Sequence, residues 1–378
     1  MEKDEKIKKR NSNIELLKII AMLLITISHV IPYNYPNPGN EYINIGNASM
    51  NFTNIALQFI RYLGQIGNVI FVICSSYFLL EKKKTKYKKV MQIIIDNVFI
   101  SVICLIFILL NKYNISKKEI IKQFFPLTFS NNWFIGTYII FYIFAPLLNK
   151  AIDSMKKREL FITTTLFCIL NIWQFIKANN YINSYLLGFI TIYFIVAYLK
   201  KHKQREKESY KITYIKIGFL YGILIIFILL INFISLKLNI GKEKMQYFTN
   251  IKNPIPILIG LLSFEIVITK EKKINNFINS LSSVTLFIYL FHDNILIRQL
   301  IRKDYYKYIY NTIGYKYIVI ICLLSSIATF VIATFVSEIY KMTIQKISSR
   351  INEKIYEKIC KKIDNKWEEE AKSEKVNN

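Results

Sequence analysis

Near the start of the chain three ionisable residues share one stripe of an otherwise apolar helix. The run is Glu15-Leu16-Leu17-Lys18-Ile19-Ile20-Ala21-Met22-Leu23-Leu24-Ile25-Thr26-Ile27-Ser28-His29. At about 100° per residue, eleven steps along an α-helix return to within about 20° of the start, and fourteen steps to within about 40°. Lys18 therefore lies over His29, and Glu15 lies close to both. Ionisable groups facing lipid are costly, so the stripe faces protein or a water-filled path. A histidine, with an ordinary pKa near 6.5, can take a proton from a hydroxyl and return it. The plain alternative for His29 is a hydrogen bond between helices. Lys18 offers positive charge to an anion or balances Glu15 one turn away. His29 lies about 16 Å farther along the helix than Lys18, at about 1.5 Å per residue.

The chain has three histidines, and His292 lies in a second apolar segment, followed by Asp293 and Asn294. It is a candidate for substrate binding or for orienting the chemistry, against the alternative of a satisfied interhelical contact. Tyr289 and Thr285, at i−3 and i−7, share its face and are its expected partners. Trp133 opens another apolar segment as an interfacial anchor or a stacking platform for a sugar. Tyr138 and Tyr142, one turn apart, are expected to line a cavity. Ser75 and Ser76 could act as nucleophiles but are more simply small packing residues between membrane helices. Asp96 and Glu265 are further acids inside apolar segments.

The elements that must hold these residues are membrane spans. The 378 residues are 53% hydrophobic and 15% aromatic, with a mean hydropathy of +0.29. The apolar runs have the length needed to cross a bilayer. Ten spans are expected, at about 13–33, 62–80, 90–110, 131–148, 159–176, 182–199, 216–236, 254–269, 281–300 and 317–340, with a short interfacial helix at about 52–61. This is an all-α, polytopic membrane bundle. The net charge of +26 sits mostly in short blocks between spans, which is how orientation is encoded, so a nucleic-acid partner is not expected. With the N-terminus inside, segments 1–10, 81–89, 150–158, 200–216 and 270–273 carry roughly twice the Lys and Arg of the outer loops. Both termini are then cytoplasmic, Lys18 lies near the inner surface, and both membrane histidines lie in the outer half. Residues 1–340 form the membrane domain. The tail 341–378 repeats isoleucine every three or four residues from Ile344 to Ile363, which predicts an amphipathic helix on the inner membrane face. The first apolar run is not expected to be a cleaved signal peptide. Five cysteines without paired spacing predict neither a disulfide framework nor a metal site.

Four blocks, in order, resemble the membrane acyltransferase-3 family, whose members O-acetylate surface glycans in bacteria. They are Glu15, Lys18 and His29 in the family's acidic–basic–histidine spacing; Gly67–Leu80 followed by the basic run Lys82–Lys89; Asn132–Tyr138 continuing to Tyr142, Pro146 and Asn149; and Ser283–Asn294. Lys18 stands where most members carry Arg, and Ser76 where a Gly is expected. The resemblance implies an O-acyltransferase of the bacterial plasma membrane, acting on groups other than amino-acyl groups. It implies cytoplasmic acyl-CoA, most simply acetyl-CoA, as donor substrate with no bound cofactor, and a surface polysaccharide or lipid-linked glycan as acceptor. On that basis His29, with Glu15, is assigned to catalysis. Lys18, Arg10, Lys82 and Lys83 are assigned to the donor, and His292, Asp293, Trp133 and Tyr138 to the acceptor. The competing class is a transporter of a glycan or small anion with the same stripe lining its path. Its signs, inverted repeats and broken helices, are not visible beyond Pro254 and Pro256.

Overall fold

The computed structural model describes residues 10–31, 34–35, 43–44, 48–125, 127–128, 133–177, 184–202, 210–238, 253–313 and 317–360. In chain order the helices are α1 (Ser12–Val30), α2 (Phe52–Leu79), α3 (Tyr87–Leu110), α4 (Lys117–Phe124), α5 (Trp133–Ser154), α6 (Lys157–Lys177), α7 (Ser184–His202) and α8 (Tyr210–Lys237). They continue as α9 (Pro254–Thr269), α10 (Asn276–Ser283), α11 (Thr285–His292), a π-helical turn Ile297–Ile301, α12 (Arg302–Ile313), α13 (Ile318–Met342), α14 (Ile344–Ile355) and a second π-helical turn Tyr356–Cys360. The one β feature among the described residues is a two-residue antiparallel pairing of Asn34–Tyr35 with Ile43–Asn44.

Among the described residues seven helices, α1, α2, α3, α5, α6, α8 and α13, are each long and apolar enough to cross a membrane. The protein is an all-α polytopic membrane bundle. Each of the ten expected spans falls on a helix or helix pair, with two departures. The interfacial helix expected at 52–61 is continuous with the second span, making α2 a single 28-residue helix. The ninth span is not one rod: Asn276–His292 and Ile297–Ile313 meet at 60°. The break falls at Asp293-Asn294, where the Asn294 side chain accepts from the Leu296 N–H at 3.0 Å, and the π-helical turn follows. π-Helical turns of this kind are frequent at functional sites.

α1 and α2 form the centre of the bundle, with 56% and 67% of their apolar windows buried, against 17% for α8. Two glycines of α2 allow their close approach. A Cβ on Gly64 would stand 2.2 Å from Ser28 Cβ, and one on Gly67 would stand 2.5 Å from the Ala21 carbonyl. Small residues that let backbones touch are the usual means of packing helices in lipid.

The described residues of the five segments that charge places in the cytoplasm lie near one another. Lys200 pairs with Glu81 at 2.9 Å and Lys201 with Asp153 at 2.6 Å. Asn13 donates to the Glu271 carbonyl at 2.8 Å, and Arg10 shares a cavity with Lys82.

The tail helix α14 also docks beside these segments, through its polar face. Ser348 and Asn352 are buried, while Ile347 and Ile351 of the apolar stripe stay exposed. Their anchor is Asp96 on α3, which accepts from Ser348 Oγ at 2.6 Å, Tyr340 Oη at 2.7 Å and Gln92 Nε2 at 3.0 Å. Asn352 adds bonds to Gln92 Oε1 and the Lys88 carbonyl, both at 2.9 Å. Asp96→Ala removes the shared acceptor and leaves buried donors unmet, at about 1–3 kcal/mol each. The expected result is a lower thermal midpoint and faster proteolysis within 343–360; unchanged proteolysis would show that the tail is held by other contacts. Residues 361–378, including the last predicted stripe position Ile363, lie outside the described residues.

Candidate active site

His29 lies in the last turn of α1 and His292 at the end of α11. The fold brings the two rings together, with His29 Nδ1 3.1 Å from His292 Nε2. The partners fix where the protons sit. His292 Nδ1 is 2.6 Å from the Ile288 carbonyl. A carbonyl only accepts, so in the neutral pair His292 carries its proton on Nδ1 and presents a lone pair at Nε2. His29 must then donate from Nδ1. Asp293 Oδ1, 3.4 Å from the same nitrogen, is a second acceptor that favours the same tautomer. What remains is the lone pair of His29 Nε2, which meets no hydrogen-bond partner among the described residues, on a side chain that is 19% accessible. This is the logic of a base oriented by a third group behind it. Of the two partners expected for His292, Tyr289 meets it ring against ring and Thr285 bonds elsewhere. Tyr289 packs its ring edge-on against His292, 5.9 Å between centroids, and Thr285 Oγ1 donates to the Ser282 carbonyl at 2.8 Å.

At the basic end, Glu15 is buried and bonded on two sides. Lys18 Nζ lies 2.7 Å from Glu15 Oε2, and Ser282 Oγ donates to the same oxygen. Glu15 therefore stands behind Lys18 rather than beside His29. The two residues assigned together to catalysis occupy opposite ends of α1, because fourteen residues of helix separate them along the membrane normal.

A cavity of about 380 Å³ opens at this end, lined by Arg10, Lys18, Lys82 and Lys89 and by Phe71, Phe134, Tyr138 and Tyr142. Ser75 and Cys74 also line it. Lys89 Nζ stands 5.4 Å over the Tyr142 ring. The aromatic wall leads towards the histidines: Phe134 is 5.6 Å from Tyr289, and Tyr289 is 6.1 Å from His29. One aromatic layer thus separates the cavity from the imidazole pair.

Of the residues assigned to the donor, Arg10, Lys18 and Lys82 line this cavity. Lys83 does not; it is exposed on the loop after α2. Among those assigned to the acceptor, His292 and Asp293 sit at His29. Tyr138 lines the basic cavity instead. Trp133 is stacked on Tyr185, 4.1 Å between centroids at 29°, so that ring face is already covered. Ser76 is fully buried between helices, as a packing residue would be. Glu265 belongs elsewhere, in a small apolar cavity with Tyr77 and Lys200. Lys89, expected only as one of the basic loop, lines the cavity, and Asn149, expected only as the end of a family-like block, has a specific part. Asn149 Nδ2 donates to the carbonyls of Leu79 at 2.9 Å and Lys82 at 2.8 Å. Its own carbonyl accepts from Tyr193 Oη. It therefore fixes the loop that carries Lys82 to the cavity. Its signal was present at the end of the third family-like block.

The bundle and its polar stripe fit a membrane enzyme or a transporter, and comparison with known families decides between them. A family model described as an acyltransferase domain, of the acyltransferase-3 type, matches residues 11–337. The chain belongs to this family and is a membrane O-acyltransferase, which decides against the transporter class. No curated protein and no solved structure matches it.

The Lys18–Glu15 pair gives a separable prediction. Lys18→Gln removes a cavity cation and strands a buried carboxylate, which costs about 3–5 kcal/mol when a buried partner is lost. Adding Glu15→Gln is expected to restore the thermal midpoint while the KM for acyl-CoA stays raised, by up to about tenfold for about 1.4 kcal/mol of lost binding. If the double variant regains the wild-type KM, Lys18 supports the fold and not the donor.

Proposed function

We propose that the enzyme transfers an acetyl group from cytoplasmic acetyl-CoA to a hydroxyl of a surface polysaccharide or its lipid-linked precursor, with His29 as general base. The membrane would be the bacterial plasma membrane. The observation that supports this reading is His29 Nε2, without a partner among the described residues and oriented by His292 and Asp293, one aromatic layer beyond a cavity lined by cations.

In this reading the phosphates of the donor meet Arg10, Lys18, Lys82 and Lys89, and the aromatic walls hold the pantetheine arm. An arm reaching from Lys18 to His29 must span about 16 Å along α1, within reach of an extended acyl-phosphopantetheine. The thioester passes beside Phe134 and Tyr289. His29 Nε2 takes the proton from the acceptor hydroxyl as its oxygen bonds to the thioester carbonyl carbon. The carbon–sulfur bond then breaks, and the leaving thiolate takes the proton from the imidazolium. Asp293, 3.4 Å from His29 Nδ1, stabilises the imidazolium that forms between the two steps.

Proton NMR of surface glycan from a gene-deletion strain carrying either the wild-type or the His29→Ala protein tests this reading. Loss of the glycan ester signal with the polymer intact supports it. Normal ester with His29→Ala, or an unesterified glycan in the complemented wild type, overturns it.

A further inference from the structure

The bend after α11 returns one side chain to the two histidines. Arg302 is the first residue of α12, directly after the π-helical turn. Its Nη2 donates to the His292 carbonyl at 2.6 Å, and its Nη1 donates to the His29 carbonyl. Both carbonyls belong to the last turns of helices, α1 and α11, where backbone acceptors lack intrahelical donors and the helix dipole is negative. A guanidinium answers both needs with one rigid, planar fork.

We infer that Arg302 is a positioning residue for the acyl transfer: its guanidinium pins the ends of α1 and α11 together and so sets the His29–His292 hydrogen bond that orients the base. This rests on the reading of His29 as the base. Arg302 gives one N–H of each terminal nitrogen to a main-chain carbonyl, and the role inferred is that of this fork. No other described side chain donates to both histidine carbonyls. The 3.1 Å contact between the rings joins two helices 263 residues apart in sequence, and the fork spans the same junction from the backbone side. Misplacing a catalytic group by about 1 Å can cost about 100-fold in rate, so loosening this junction acts on the chemical step rather than on donor binding.

The test uses full-length enzyme in lipid nanodiscs, with initial rates of CoA release read against acetyl-CoA concentration. Arg302→Gln is expected to lower kcat roughly ten- to hundredfold with the KM for acetyl-CoA unchanged. Arg302→Lys, which keeps the charge but can reach only one carbonyl at a time, is expected to fall between Gln and wild type. Arg302→Ala is expected to regain rate when methylguanidinium is added at millimolar concentration, and methylammonium is expected to be less effective. Wild-type kcat in Arg302→Gln, or a lysine variant no better than glutamine together with no response to methylguanidinium, overturns the inference. Should Arg302→Gln fail to fold, the lysine variant and the rescue series decide. His29→Ala, run alongside, separates the two ideas. An inactive His29→Ala with unaffected Arg302 variants sinks only the role of Arg302, whereas an active His29→Ala sinks the base itself.

Discussion

Replacing His29 by glutamine is expected to lower the rate of acyl transfer by about 10²–10⁴-fold, the usual contribution of a positioned base. Glutamine is close in reach and its amide can still donate towards His292 Nε2, so the contact between α1 and α11 has a substitute. What it lacks is a lone pair able to hold the hydroxyl proton. The donor KM is expected to stay near wild type, because the cations lining the cavity lie at the other end of α1. Steady-state CoA release by protein of normal size-exclusion profile measures both. A variant that keeps its rate would return His29 to the role of a hydrogen bond between helices.

The second large effect comes from one methyl group. Gly64→Ala would set a Cβ 2.2 Å from Ser28 Cβ and 2.4 Å from its Oγ, where an ordinary contact needs more than 1 Å of extra room. Ser28 cannot yield by rotating, since its Cβ is fixed to the backbone of α1. The helices must separate beside the residue that precedes the base. Overpacking of this kind costs about 1–3 kcal/mol, and displacement of the base by about 1 Å costs about 100-fold in rate. Thermal unfolding and kcat are both expected to fall. Gly218→Ala on α8 is the control, because nothing lies within 4 Å of its added Cβ. Equal rates in the two variants would show that the α1–α2 contact does not set the position of His29.

The axial logic of the site was legible because it is written within single helices. The Glu15–Lys18–His29 stripe follows from helical arithmetic, and the separation of its members along α1 follows from the helical rise. The Lys and Arg bias groups segments that, where described, touch one another through Lys200–Glu81 and Lys201–Asp153. Lateral relations were not legible. His29 and His292 meet through helix packing that no local period encodes. Arg302 bonds to main-chain carbonyls, so no partner side chain marks it in the sequence. The ninth span reads as continuous because the flanking residues are apolar on both sides of Asp293-Asn294, yet those two polar residues are where it breaks. The tail shows a subtler omission. Its isoleucine stripe is evident, but Ser348 and Asn352 one position away look like ordinary surface residues until Asp96, itself left without a partner by sequence, is placed opposite them.

The central claim is that a base in the outer half of the membrane works on a donor received from the basic end. Proteoliposomes in which the basic end faces the lumen, loaded with labelled acetyl-CoA and supplied with glycan acceptor only outside, test it most directly. Label is predicted to reach the external glycan with wild-type protein and to fall to background with His29→Gln. Transfer only when donor and acceptor share one compartment, or equal transfer by the two proteins, would contradict it.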